Sequence, residues 1–466
     1  MLFSSLTFIF IFLPIVLALY YLADRKFRNV ILCFASLLFY AWGEPKYVIL
    51  MLVSIVANFF FAKWIDASRH HRKLFLILDI IFNIGLLGFF KYANFGQSIL
   101  QSITGWSPNL PIIELPIGIS FYTFQILSYV IDVYRKQVKV QKNIIKLGTY
   151  IALFPQLIAG PIVQYSDVEK QLDERHESIN LFIDGAKRFI VGQAKKVIIA
   201  NNVAYIADTI YAQPVAEVSM GGLWLAAIAY TLQIYFDFSG YSDMAIGLGK
   251  MFGFKFIENF NYPYVATSVK DFWRRWHISL SKWFRDYIYI PLGGNRVSKI
   301  KWVRNILIVW TLTGLWHGAN WNFVIWGLYY GVLLLSEQTI LAKVLERIPK
   351  WMRYILTMFV VIIGWVLFRV ENFEVLGPTF AGMFGLSGNY RLSQIFYHDY
   401  NLIASLPYVL IGLLFITPWI RTGFQKIQNK YMAFIPIKYL IYLGLFAGVV
   451  ICLVSSQYNP FIYFRF

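Results

Sequence analysis

Two of the six histidines in this 466-residue chain stand where an imidazole could do chemistry. His317 follows the apolar run Ile306–Trp316 inside the string GLWHGANWNF. Counted as helix from the charged edge at Arg304, the ring lies about 20 Å into a bilayer core of roughly 30 Å. An ionisable group at that depth is costly and marks a functional site by default. Gly318, Asn320 and Asn322 interrupt the apolar runs on either side. Polar, irregular backbone at such depth is tolerated only where protein buries it or water reaches it. One reading is a broken helix lining a reaction chamber. The other is a tight helical hairpin whose histidine is only hydrogen-bonded.

His277 sits in the densest block, DFWRRWHISLSKWFRDYIYIPLGGNR, residues 271–296. Read as one helix, Phe272, Trp276, Trp283 and Tyr287 form a stripe beside Trp273, His277, Leu280 and Phe284. Asp271, Arg275, Lys282 and Asp286 fall on the opposite face. Pro291, Gly293 and Gly294 end that helix in a turn. An interfacial amphipathic helix has the same composition and is the reading that composition favours over a catalytic one; the histidine on its aromatic side is the detail that fits it poorly. A third block, residues 235–254, carries Asp237 and Asp243 in or beside apolar helix. Buried carboxylates usually pair with arginine, and Arg274 and Arg275 are the candidates; general-base work is the other reading. The string FPQLIAGPI, residues 154–162, predicts a kinked or re-entrant segment through Pro155, Gly160 and Pro161.

The elements that must hold these residues are membrane helices. The chain is 58% hydrophobic and only 14% charged, and its mean hydropathy is +0.58; soluble domains carry about a quarter charged residues. Apolar segments of helical length recur from 2–22 to 436–455, several too short to span alone. They predict an all-α polytopic membrane protein with roughly 11–13 transmembrane or re-entrant helices. Segment 2–22 reads as a true span with its N-terminus outside, since no basic residue precedes it and no small-residue cleavage site follows. Basic loops at 25–28, 63–73 and 135–146 would face the cytoplasm. The acidic stretch 167–177 and the basic, amphipathic 187–196 read as an interfacial helix or loop. Residues 265–304, 371–401 and 421–435 are the most polar, and nothing suggests a separate soluble domain, so 1–466 reads as one.

The net charge of +18 clusters in loops, which points to orientation and anionic membrane lipids as partners rather than nucleic acid. Two cysteines, Cys33 and Cys452, lie in apolar helices, giving no disulfide framework and no metal-type spacing. A GxSxG elbow, a P-loop and an HExxH motif are all lacking. His70 and His71 fall in a basic loop, and His176 and His398 in polar loops.

Five ordered strings, LPIGISFYTFQILSYVIDVYR, FPQLIAGPI, YFDFSGYSDMAIGLGKMFGF, DFWRRWHISLSKWFRDYIYIPLGGNR and GLWHGANWNFVIWG, resemble the membrane-bound O-acyltransferase superfamily, in its bacterial alginate O-acetyltransferase membrane-subunit branch. The resemblance is tight over about residues 110–335, a candidate catalytic core region, and extends to GWVLFRV and the terminal PFIYFRF. It implies a helical bundle around a tunnel. His317 matches the signature histidine and His277 the second polar position. The resemblance further implies acyl transfer from a cytoplasmic thioester, acetyl-CoA, with no bound cofactor. The acetyl group would pass outward across a bacterial inner membrane to an envelope polysaccharide such as alginate, cellulose or peptidoglycan, with a periplasmic SGNH-type partner. On that footing His317 is the candidate general base, and His277 would stabilise the oxyanion or position the thioester carbonyl. Arg274, Arg275, Trp316, Asn320, Asp286 and Asp243 are candidate supporting or donor-binding residues. The basic residues between Lys270 and Arg304 would attract coenzyme A phosphates. A transporter or flippase, or a non-catalytic scaffold of an exopolysaccharide complex, is the competing expectation.

Overall fold

The computed structural model describes residues 1–106, 111–386, 399–431, 434–455 and 458–462; His398 and residues 463–466 lie outside them. Among the described residues there is helix and loop and no strand. Each apolar segment of the sequence carries a helix. Val48–Ala67, Arg72–Thr104, Lys350–Arg369 and Pro436–Ser455 are long and apolar enough to cross a membrane, and Tyr400–Phe415 with Trp419–Gln428 forms a further candidate span bent by 69°. Their outward faces carry rows such as Ile49, Val53, Val56 and Phe60, or Leu440, Leu443, Ile451 and Val454. Such continuous exposed apolar surface is what lipid solvates.

The described residues group into two compact units, Met1–Phe189 with Ser242–Glu258, and Ile190–Tyr241 with Asn259–Phe466. In the first unit, Phe3, Phe8, Phe12, Phe39 and Phe154 make an aromatic core with ring centroids 4.9 to 6.4 Å apart. The kinked segment is present. Helix Ile144–Ala152 stops at Leu153, a single turn covers Phe154–Leu157, and 158–164 runs buried without helix. Hydrogen bonds from buried side chains satisfy some of that irregular backbone, with the Tyr150 hydroxyl donating to Val163 O at 3.0 Å. Gly160 is obligatory there, because a Cβ would lie 2.6 Å from Gln156 Cα.

In the second unit, Lys299–His317 and Trp321–Gln338 pack as antiparallel arms. Glycine allows the approach: a Cβ on Gly314 would sit 2.1 Å from Phe323 O, and one on Gly327 2.2 Å from Trp310 O. Asn305, fully buried, donates to Leu292 O and Gly294 O at 3.1 Å each, tying the 290–296 turn to the base of the first arm. Asn322 donates to Phe368 O at 3.3 Å and ties the second arm to the end of helix Lys350–Arg369.

Two expectations fail here. Asp237 pairs with Lys196 at 2.9 Å, not with an arginine of the 271–296 block. Asp243, in the first unit, pairs with Arg188 at 2.8 Å, and Arg188 also bonds Glu258. Arg275 is engaged by Asp271 at 2.9 Å instead. The reason is local: helix 220–251 presents its carboxylates to the 179–211 helical run, which supplies both bases. That run is therefore not an interfacial helix throughout, since Lys196 is only 2% exposed, seated in a widened π-turn at Lys195–Ala200.

Candidate active site

The 271–296 block is not one helix. Ser268 caps a first helix, Val269–Arg275, by accepting from Asp271 N at 3.0 Å. Glu337, from the second hairpin arm, accepts from Val269 N at 2.8 Å and Lys270 N at 2.9 Å, placing a carboxylate on the positive helix end. The helix stops at Trp276, which is extended, and His277 follows in the left-handed region at φ +43°, ψ +55°. A second helix then covers Ile278–Phe284. A left-handed non-glycine residue costs about 1–2 kcal/mol and persists only where its surroundings impose it. Here the preceding segment imposes it, with Asn261 N donating to Arg275 O at 2.9 Å and Ile278 N to Asn259 O at 3.0 Å.

This kink turns His277 inward, and the ring is 1% exposed. Its Nδ1 lies 3.2 Å from Asn259 Oδ1. Phe238 meets it edge-on at 4.6 Å between centroids, and Trp316 lies 6.0 Å away. Nε2 is buried and makes no hydrogen bond among the described residues.

His317 is the last residue of the first hairpin arm and is 5% exposed. Gly318 and Asn320 are extended, and Trp321 starts the return arm. The hairpin geometry is thus realised, with His317 at its tip. Trp316, Trp326 and Phe368 pack against the imidazole at 5.0, 5.1 and 5.3 Å. Trp316 therefore lies against both histidines. Around them Trp276, Trp365, Phe272 and Tyr264 continue a packed aromatic wall. Two imidazoles buried among aromatic rings are suited to accept and return a proton, because contacts to developing charge strengthen where water is excluded.

Of the other candidates, Trp316 belongs to this cluster. Asn320 is half-buried beside it at the helix start, without a side-chain cap bond. Arg274 is exposed on the outer side of the first short helix. Arg275 holds the kink, donating to Asp271 and, at 3.3 Å, to Asn261 O. Asp286 pairs with Arg285 at 2.8 Å. Asp243 belongs to the first unit. Asn259 was missed: it lies 18 residues before His277, and no spacing signal links them until the two segments pair.

A family model described as membrane-bound O-acyltransferase matches residues 34–376. The chain is 44% identical over 402 residues to a protein of Pseudomonas aeruginosa named probable alginate O-acetylase, covering 85% of this chain and 77% of that one. A protein of the same name from Azotobacter vinelandii is 39% identical over 502 residues and the full length of both. A peptidoglycan O-acetyltransferase of Helicobacter pylori is 37% identical, covering 83% of this chain and 80% of its own.

Proposed function

The chain belongs to the membrane-bound O-acyltransferase family, and from that membership we propose that the buried pair His277 and His317 carries the acyl transfer. The protein is a multi-pass membrane O-acyltransferase. Its acceptor is an envelope polysaccharide, a reading supported by relatives named for alginate and peptidoglycan. The donor is a cytoplasmic thioester, acetyl-CoA, and the membrane is the inner membrane of a bacterium. A periplasmic SGNH-type protein completes delivery to the glycan. The family match runs through both compact units, which supports taking 1–466 as one domain with its catalytic core within 110–335.

The observation that carries this reading is that both imidazoles are buried against one indole, Trp316. In the transfer, a hydroxyl oxygen bonds to the thioester carbonyl carbon and the carbon–sulfur bond breaks. The hydroxyl proton passes to an imidazole and then to the departing sulfur. One ring takes that proton and the other attends the thioester. Which ring does which depends on their tautomers. A transporter or a scaffold would need no such proton acceptor.

The test compares acetyl content of purified envelope polysaccharide from cells with wild-type protein, with His317→Ala, and with none, at matched membrane levels. Loss of either ring of an essential acid–base pair costs on the order of 10²–10⁴ in rate, so His317→Ala should match the cells lacking the protein. Equal acetylation in all three would remove the acyltransferase assignment of this pair and favour transport.

A further inference from the structure

Asn259 is fully buried, and its side-chain oxygen is identified by its neighbours. Ser279 N lies 3.1 Å from Oδ1 and Ser279 Oγ 2.9 Å from it. A backbone N–H can only donate, so the amide atom facing it is the oxygen and not the nitrogen. The same oxygen lies 3.2 Å from His277 Nδ1. An oxygen with no hydrogen offers Nδ1 only an acceptor, and the one hydrogen of Ser279 Oγ, 3.5 Å from Nδ1, goes to that same oxygen at 2.9 Å, so Nδ1 carries the proton. In a neutral ring Nε2 then bears the lone pair, and Nε2 is the buried atom without a hydrogen bond among the described residues.

We propose that Asn259 is a positioning residue that fixes His277 in the Nδ1-protonated tautomer, so that Nε2 is the proton acceptor of the pair. The inference rests on the reading of His277 as part of the catalytic pair. It also revises the role drawn from sequence, because a neutral His277 held this way cannot donate from Nε2 to the thioester oxygen. In the transfer step, Nε2 takes the proton of the attacking hydroxyl as the new carbon–oxygen bond forms, and the imidazolium gives it to the sulfur as the carbon–sulfur bond breaks. The Nδ1–H bond to Asn259 stabilises that imidazolium without a charge. The same residue builds the kink, since Asn259 O accepts from Ile278 N at 3.0 Å. One asparagine therefore sets the left-handed backbone with its main chain and the tautomer with its side chain.

The experiment measures acetyl transfer from acetyl-CoA in membrane vesicles carrying the cell's own glycan, across a pH range, for Asn259→Asp, Asn259→Ala, His277→Ala and the double alanine variant. A carboxylate at 259 keeps the acceptor and adds a charge that favours imidazolium. The acid limb of kcat/KM should therefore move up by roughly one unit or more, with activity retained above it. Asn259→Ala should lower kcat about a hundredfold with little change in KM, and in the His277→Ala background it should cost nothing further. An unmoved acid limb in folded Asn259→Asp, with His277→Ala still strongly impaired, would overturn the positioning role alone. An equal loss from Asn259→Ala in both backgrounds would also overturn it, by making Asn259 a structural residue. Wild-type activity in His277→Ala would instead remove the catalytic pair on which the inference stands. The aspartate and alanine arms are independent, so either one that folds decides.

Discussion

Arg274 and Arg275 are adjacent and identical in type, yet the fold gives them different work. Arg275 is bonded to Asp271 and to the carbonyl of Asn261, so it fastens the segment that bends His277 inward. Arg274 is exposed on the same short helix and is the better candidate to meet the phosphates of a donor. With acetyl-CoA as the proposed donor, Arg274→Ala should raise its KM several-fold, more at low salt than at high salt, with kcat unchanged. Arg275→Ala should lower kcat and thermal stability together, and saturating donor should not rescue it. If donor does rescue Arg275→Ala, the two assignments must be exchanged. The sequence made both residues candidates and could not separate them, because their difference lies in which partner each reaches. The same limit explains the misassigned carboxylates. Buried Asp237 and half-buried Asp243 were legible as acids needing a base, but Lys196 and Arg188 lie far from them in the chain. The burial of His317 could be read from sequence, because depth can be counted along an apolar run.

At the scale of elements, the apolar periodicity marked the helices well, and the kink at 153–164 announced itself through Pro155, Gly160 and Pro161. The break at His277 did not, because neither glycine nor proline stands there. A left-handed histidine is imposed by pairing with 259–261 and leaves no local mark. The hairpin of Lys299–His317 and Trp321–Gln338 was one of two readings, and glycine spacing decides it. Gly314 and Gly327 let carbonyl oxygens of the facing arm approach to positions a Cβ would occupy. Gly327→Ala should force the arms apart beside His317, costing about 1–3 kcal/mol by overpacking. A drop of several degrees in Tm in detergent and a marked loss of acetyl transfer are the outcomes to measure. Gly444→Ala is the control: a Cβ there meets nothing within 4 Å among the described residues, and alanine is the better helix former. If both variants behave alike, close approach at Gly327 does not hold the hairpin.

At the scale of the whole molecule, the excess of 42 basic over 24 acidic residues is organised by position. In the first unit more than half of the basic residues cluster at the helix ends around 25–28, 63–73 and 135–146, where Arg25, Arg69 and Lys136 are exposed. Helix Arg72–Thr104 has 33 residues, about 50 Å of rise, which exceeds the roughly 30 Å hydrocarbon core. One rigid element thus carries a reporter for each side of the membrane: its basic start follows Arg69, and exposed Ser98 lies 26 residues along it, about 39 Å from Arg72. Positive residues stay cytoplasmic because their translocation is disfavoured. In a background with Cys33 and Cys452 replaced by alanine, Ser98→Cys should react with a membrane-impermeant maleimide added to spheroplasts. Arg69→Cys should react only after the membrane is opened. Tagging the two sites in the opposite order would invert the orientation of this unit. Labelling of both from outside would mean that helix 72–104 does not cross, despite its length and apolar character. Length and charge asymmetry are additive along a chain and so could be read from the sequence. Side-chain partnership is not additive, and it was at the paired segments 259–261 and 275–278 that the structure had to supply the answer.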